Sequence, residues 1–301
     1  MISSLNPDSQ QFVTGLNRIA DQLQVTQRQI STGISLNTVS DNPDKVSPLL
    51  QARASLSAAQ QIQTNLGQVK TEVDVGEQAL QSSEQLFENA QTLAAEGVTA
   101  TQTASTRADI AQQIGGILQD LVGTAGTTVE GRYIFSGDSD QQTPYAIDLT
   151  QPVPVSAYLG SAATRIAQHP NGTTFAVSLT AQQIFDSADP TTNVFSSLTS
   201  LYTALNNNDQ AGIQTALAGM PKVDEYLNGQ LAFYGTTQDK VTQATDFGSN
   251  LVVQLQTQVS GLADADETSA IVQLNQLQLQ EQASLQSEGR IPRTSLFDFL
   301  A

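Results

Sequence analysis

The feature that most constrains this chain is a step of alternate fours and threes between mainly apolar residues at both of its ends. Near the start, Phe12, Leu16, Ile19, Leu23, Thr26 and Ile30 follow that step, which lines them up on one narrow seam of a helix. Near the end, Ala244, Gly248, Leu251, Leu255, Gln258 and Leu262 do the same, and an apolar run continues through Ile271, Leu274, Leu277 and Leu285. So narrow a seam encloses no globular core alone. Each end therefore requires a helical partner, and the other end is the nearest candidate. The middle then reads as an insertion, and the whole as a subunit built to stack.

Local signals set the expected elements. A first helix spans roughly residues 8–32 and stops at Ser31-Thr32-Gly33, where glycine supplies a left-handed turn. In Val39-Ser40-Asp41-Asn42-Pro43-Asp44, Asp41 or Asn42 can cap a second helix. Pro43 suits its first position, and Asp44 complements the helix dipole. Along that helix Ile62, Leu66, Val69, Val73, Gly76, Leu80, Ser83, Phe87, Ala90 and Ala94 keep the same rhythm over several heptads. Some 50 helical residues extend about 75 Å, so an elongated bundle is expected, with the rod packed against the helix bearing Ile110, Ile114, Ile117 and Leu121 and against C-terminal helices.

The character changes at Gly131-Arg132-Tyr133-Ile134-Phe135-Ser136-Gly137. Between there and about residue 194 lie five of the ten prolines. Thr164-Arg165-Ile166-Ala167, a turn at Pro170-Asn171-Gly172, and alternating Phe175, Val177 and Leu179 predict a hairpin, because Asn-Gly between alternating runs favours a tight turn. Helical pattern resumes near Val194, with Leu198, Leu201 and Leu205, and continues with breaks to the C-terminus. The fold class is mainly α with a β-rich insert: terminal coiled-coil helices in 1–40 plus 260–301, mobile in the monomer; a helical rod in 41–132 plus 195–259; and the insert in 133–194.

Composition narrows function. Only 39% of the 301 residues are hydrophobic and 5% aromatic, so the core is thin. Without cysteine and with one histidine, disulfide staples and thiolate or clustered imidazole metal sites are excluded or nearly so. Absence of cysteine suits export into an oxidising exterior. A net charge of -17, from 12 Lys and Arg against 29 Asp and Glu, opposes binding to nucleic acid or an anionic membrane. The N-terminus has no cationic and apolar leader pattern and no stretch is long enough to span a bilayer, so any export is expected to proceed without a cleaved signal.

No motif points to catalysis. The sequence contains no GxxxxGK[ST], GxGxxG, HExxH or GxSxG. His169 sits at the expected hairpin tip, where side chains are usually solvated. Asp264-Ala265-Asp266-Glu267 could offer carboxylates to a cation, but it lacks the EF-hand spacing, and Asp264 three residues before Glu267 reads as a helix cap. Asn171-Gly172-Thr173 formally matches a glycosylation sequon and reads as a turn. Neither an enzyme nor a cofactor is expected.

The order of helical end, long helix, β insert, helical return and helical end resembles the flagellin family of bacterial flagellar axial proteins. Leu23 through Ile34, with Ser31-Thr32-Gly33, is similar to that family's first helix and its closing turn. Ser40-Asp41-Asn42-Pro43 resembles the Ser-Asp-Asp-Pro of the family's hook-filament junction branch, where filament subunits usually carry Asp-Asp-Ala-Ala. Gly131 to Gly137 followed by Pro144-Tyr145, and Ser295-Leu296-Phe297-Asp298-Phe299-Leu300 at the end, are similar to the same branch. The sequence departs from receptor-recognised flagellins, whose Arg-rich patch is replaced by Asn89, Gln91 and Thr92.

The resemblance implies a secreted structural protein of the flagellum that forms a homo-oligomer in an axial assembly. It implies contacts with another hook-associated protein, flagellin and a cytoplasmic export chaperone, and passage through a type III apparatus. A filament-forming flagellin, or a soluble coiled-coil binding module, remain the alternatives. The residues expected at assembly contacts are Phe12, Leu16, Ile19, Leu23, Ile30, Leu274, Leu277, Leu285, Leu296, Phe297 and Phe299.

Overall fold

The computed structural model describes residues 7–36, 38 and 42–289. Its contacts divide the chain into two compact units, one of residues 1–58 with 252–301 and one of residues 59–251. Helices α2 (Pro43–Gly97) and α6 (Gln210–Ala263) contribute to both units, while α1 (Pro7–Thr32) and α7 (Glu267–Gly289) belong to the first. Ser40 and Asp41 lie outside the described residues. Pro43 opens α2, with Lys45 N donating to Asn42 O at 3.2 Å. Gly33 stops α1 at φ 68°, its N–H donating to Gln29 O at 2.9 Å.

In the second unit, the rhythm along α2 becomes the core. Leu66, Val73, Leu80, Phe87, Ala90 and Ala94 are buried, and Ile62 and Val69 pack half-buried beside them. They share one cluster with Ile110, Ile114, Ile117 and Leu121 of α3 (Ala104–Ala125), Leu198, Leu201 and Leu205 of α5 (Val194–Asn206), and Val223, Leu227, Tyr234 and Val241 of α6. Each well-buried Leu or Ile contributes roughly 1.5–3 kcal/mol. Gly76 is required by proximity: a Cβ there would meet Tyr234 Cε1 at 2.5 Å. Polar stitches reinforce the packing of α2 on α6, Gln63 Nε2 to Ser249 Oγ at 2.9 Å and Gln238 Nε2 to Asp74 Oδ1 at 2.7 Å.

The helical return continues with breaks, as its sequence implies. Among the described residues it is interrupted at 207–209 and 264–266, and α6 runs through Pro221. That proline lies on the exposed side of the helix, where forfeiting one backbone bond costs least.

The insert has two short ladders. Strands β1 (Thr128–Val129) and β2 (Arg132–Tyr133) pair antiparallel across Glu130 and Gly131, at φ 52° and 78°, the positive angles of a tight hairpin turn. Downstream, Phe135 and Ser136 are buried, and Ser136 Oγ donates to Gln142 O at 2.8 Å. Gly137 has φ 62°, and a side chain there would collide with Ser161 O and lie 2.6 Å from Ala163 O. Tyr145 is buried edge-on to Phe195, with ring centroids 5.0 Å apart; burial, then the Asp186 carboxylate, pushes its hydroxyl pKa up. The motif's Gly and aromatic positions thus fix a turn, a close approach and a core anchor.

The second ladder is the expected hairpin, with β3 (Ile166–Gln168) pairing Ile166 to Ala176, Ala167 to Phe175 and Gln168 to Thr174 of β4 (Thr174–Ala176). Short helix α4 (Ala181–Phe185) follows, and Ala167, Val177, Ile184 and Phe185 join the helices' core cluster. Arg165 ties the hairpin to α2 through Glu72 at 2.7 Å, and Leu179 N donates to Tyr234 Oη at 3.3 Å. His169 is half-buried instead of freely solvated: its ring lies 5.2 Å from that of Phe247, and its Nδ1 accepts from Asn171 N at 3.1 Å.

Candidate assembly surface

In the first unit, α1 packs against α7. The seam of α1 is the one its sequence rhythm marks. Phe12, Leu16, Ile19, Leu23 and Ile30 are all half-buried, and Thr26 is buried, its Oγ1 donating to Gln22 O at 2.8 Å. A threonine fits there because its hydroxyl is satisfied within its own helix. The apolar seam residues are thus shielded from water on one side only.

On α7 the seam follows Ala270, Leu274, Leu277, Glu281 and Ser284, of which Ala270 and Leu277 are buried and the others half-buried. Leu274 and Leu277 therefore lie where their sequence spacing places them. Leu285 does not: it is 52% exposed, as are Ile271 at 49%, Val272 at 52% and Leu279 at 66%. Continuing the four-three step from Leu277 lands on Glu281 and Ser284, so Leu285 falls one position off the seam and on the outer face. Leu296, Phe297 and Phe299 lie outside the described residues.

The α1–α7 register is set by backbone bonds at one end. Ser35 N donates to Ala263 O at 2.7 Å and Ala265 N to Gly33 O at 2.9 Å, making a bridge between Ile34 and Asp264. The turn after α1 is thereby sewn to the turn before α7. Helix α7 starts one short step later than Asp264 implied. Its cap is Asp266, whose Oδ1 accepts from Ser269 N at 3.0 Å and Oδ2 from Ser269 Oγ at 2.9 Å. These bonds, backbone first, hold the Asp266 carboxyl below its ordinary pKa of 3.8. Asp264 instead accepts from Ser260 Oγ. Ser269, at the third helical position, could have revealed the cap, since Asp-x-x-Ser offers the same reach as Asp264-x-x-Glu267.

Sequence reading also missed Arg107, one of the chain's 12 basic residues. It is buried, and its Nε donates to Gly97 O at 2.9 Å, Nη2 to Thr99 O at 3.1 Å and Nη1 to Asn208 Oδ1 at 2.6 Å. The last turn of α2 carries no basic residue, so Arg107 brings positive charge to that helix end from α3. Among the described residues no group of three or more His, Asp or Glu side chains converges as metal ligands would, and no helix is long and apolar enough to cross a membrane. What the first unit offers is an open apolar seam, suited to being covered by another helix.

Comparisons with known proteins agree with that arrangement. The family model of the bacterial flagellin N-terminal helical region matches residues 2–140, and that of the C-terminal helical region matches residues 222–300. The chain is 27% identical over 313 aligned positions to flagellar hook-associated protein 3 of Escherichia coli strain K12, covering 96% of each. In fold it is similar to a candidate flagellar hook-associated protein from Vibrio parahaemolyticus, with a TM-score of 0.65 at 18% identity over 74% of this chain and 100% of that one. It is similar also to the flagellar junction protein of Legionella pneumophila, with a TM-score of 0.57 at 11% identity over 72% of this chain and 100% of that one.

Proposed function

The chain belongs to the flagellin family, and from that premise we propose that it is a structural axial protein joining hook to filament in the bacterial flagellum. The observation that carries the reading is the α1 seam, half-buried from Phe12 to Ile30 beside an α7 whose outer face exposes Ile271, Val272, Leu279 and Leu285. Covering what remains exposed of a half-buried Phe, Leu or Ile contributes roughly 0.5–1 kcal/mol. Five such residues on α1 therefore offer several kcal/mol per subunit, realised only when a neighbouring helix arrives. The activity is mechanical: subunits stack through these ends around a common axis.

The same reading supplies the partners: copies of this chain, another hook-associated protein on one side, flagellin on the other, and an export chaperone beforehand. Export through a type III apparatus fits a chain without cysteine, which reaches an oxidising exterior with no thiol to mispair. Phe12, Leu16, Ile19, Leu23, Ile30, Leu274, Leu277 and Leu285 are the described residues we assign to assembly contacts. Leu285 acts there as an outward contact rather than as part of the α1–α7 seam.

A Leu23→Asp variant tests this. An ionised carboxylate in an apolar seam costs several kcal/mol unless paired, more than the seam's gain from that position. The variant is expected to keep the thermal transition of the second unit and to disappear from isolated flagella viewed with labelled antibody. Normal incorporation would remove the seam from the assembly contacts.

A further inference from the structure

The sequence contains two Asn-Gly pairs, Asn171-Gly172 and Asn228-Gly229. All four residues are exposed, and a side chain added at either glycine would meet nothing within 4 Å. Water and steric access are therefore alike at the two. Their backbones differ. Asn228 and Gly229 lie inside α6, between Gln210 and Ala263, and Asn228 Nδ2 donates to Asp224 O at 3.1 Å. Asn171 and Gly172 form the tip of the β3–β4 hairpin, where Gly172 has φ 93° and its N–H donates to His169 O at 2.8 Å. Asn171 Oδ1 accepts from Thr173 N at 3.0 Å and from Thr173 Oγ1 at 2.7 Å.

We propose that Asn171-Gly172 is a spontaneous deamidation site of this chain, and that Asn228-Gly229 is not. In the reaction the Gly172 amide nitrogen gives its proton to solvent and attacks Cγ of Asn171, forming a carbon–nitrogen bond. The Cγ–Nδ2 bond breaks, and Nδ2 leaves as ammonia after taking a proton. Water then opens the five-membered imide at either carbonyl, leaving aspartate or isoaspartate. Glycine at the following position leaves the attacking nitrogen unhindered by a side chain.

Bond formation requires the nitrogen to approach Cγ along a near-attack path, which means turning ψ of the asparagine. At residue 228 that rotation breaks helical bonds on both sides in the interior of a 54-residue helix. At residue 171 it breaks only the bonds of a short exposed tip, and tips open far more often than helix interiors. The bonds lost there are that of Gly172 N–H to His169 O and the two from Thr173 to Asn171 Oδ1.

The product alters the insert's docking. Isoaspartate lengthens the backbone at a tip that joins Gln168 to Thr174 in fixed register. Pro170, against Gly248, and His169, beside Phe247, hold that tip on α6. The new carboxylate adds charge to a chain already at -17.

The test ages the full chain in native buffer and in denaturant, digests it, and follows the peptides containing residues 171 and 228 by mass spectrometry with isoaspartate detection. In denaturant both convert. In native buffer residue 171 is expected to convert roughly a hundredfold faster than residue 228, because the rate follows the population of the open backbone. An Asn171→Gln variant is expected to lose the native isoaspartate signal. Equal native rates at the two residues, or no native conversion at 171 over the time the denatured chain converts at both, would overturn the proposal.

Discussion

Replacing Arg107 with methionine removes the one buried cation among the described residues, whose partners are all neutral acceptors. The three bonds it donates, to Gly97 O, Thr99 O and Asn208 Oδ1, join the end of α2 to the connection between α5 and α6. Gln210 Nε2 adds a fourth, to Val98 O at 3.1 Å. Methionine retains most of the aliphatic stem and removes every donor. Thr99 and Asn208 are exposed and rehydrate, whereas Gly97 is buried, so its carbonyl loses a charge-assisted bond that water cannot replace. With such bonds worth about 1.5–3 kcal/mol, one full loss and two partial ones give a net destabilisation of about 3 kcal/mol. For a unit of this size that lowers the melting temperature by roughly 6–12 °C. Calorimetry measures the shift, and hydrogen exchange locates it at 97–103 and 206–210. Arg107→Lys should recover only part of the loss, since an ammonium does not match the planar fork. A melting temperature unchanged by Arg107→Met would refute the reasoning that this end of the unit depends on the guanidinium.

Three further outcomes follow from the packing. Gly76→Ala drives a methyl into Tyr234 and should destabilise the second unit by about 1–3 kcal/mol, read by calorimetry; a neutral result would mean that the ring moves aside freely. Asp266 has a lowered native pKa, so its capping contribution is present above its ordinary value of 3.8 and is lost as the pH falls through the native value. The Ser269 amide should accordingly lose exchange protection in acid and keep it at neutral pH. In the free monomer, amides of α1 and α7 should exchange faster than those of α2 beyond Ala59, because the terminal seam is half-covered while the rod seam is buried; equal protection would mean that the ends are complete without a neighbour.

Much of this was legible in the residue pattern because it depends on neighbours in sequence. The four-three step selected Phe12 to Ile30 on α1 and Ile62 to Ala94 on α2, and the structure half-buries or buries those positions. Asn171-Gly172 marked the hairpin because the turn is made by the residues that name it. Leu285 belongs to the apolar run but not to the four-three rhythm, which leads to Ser284, and it lies on the outer face of α7. Pro221 does not break α6, because burial along the helix on both sides of it outweighs one missing bond. Arg107 was invisible because Asn208 lies a hundred residues away, and no local pattern marks an arginine whose acceptors are backbone carbonyls. The sparse strands of the insert have a related cause: its apolar residues pack into the helices' core cluster instead of needing a sheet of their own.

The central claim is that the ends join this chain to hook and filament as a limited layer. It is tested most directly by adding purified chain to isolated hooks and to filament seeds, then viewing the products by electron microscopy. The account predicts a short terminal layer that stops growing and onto which flagellin then assembles. Unlimited polymerisation by the chain alone would mark it as a filament subunit, and failure to bind either end would contradict the axial role altogether.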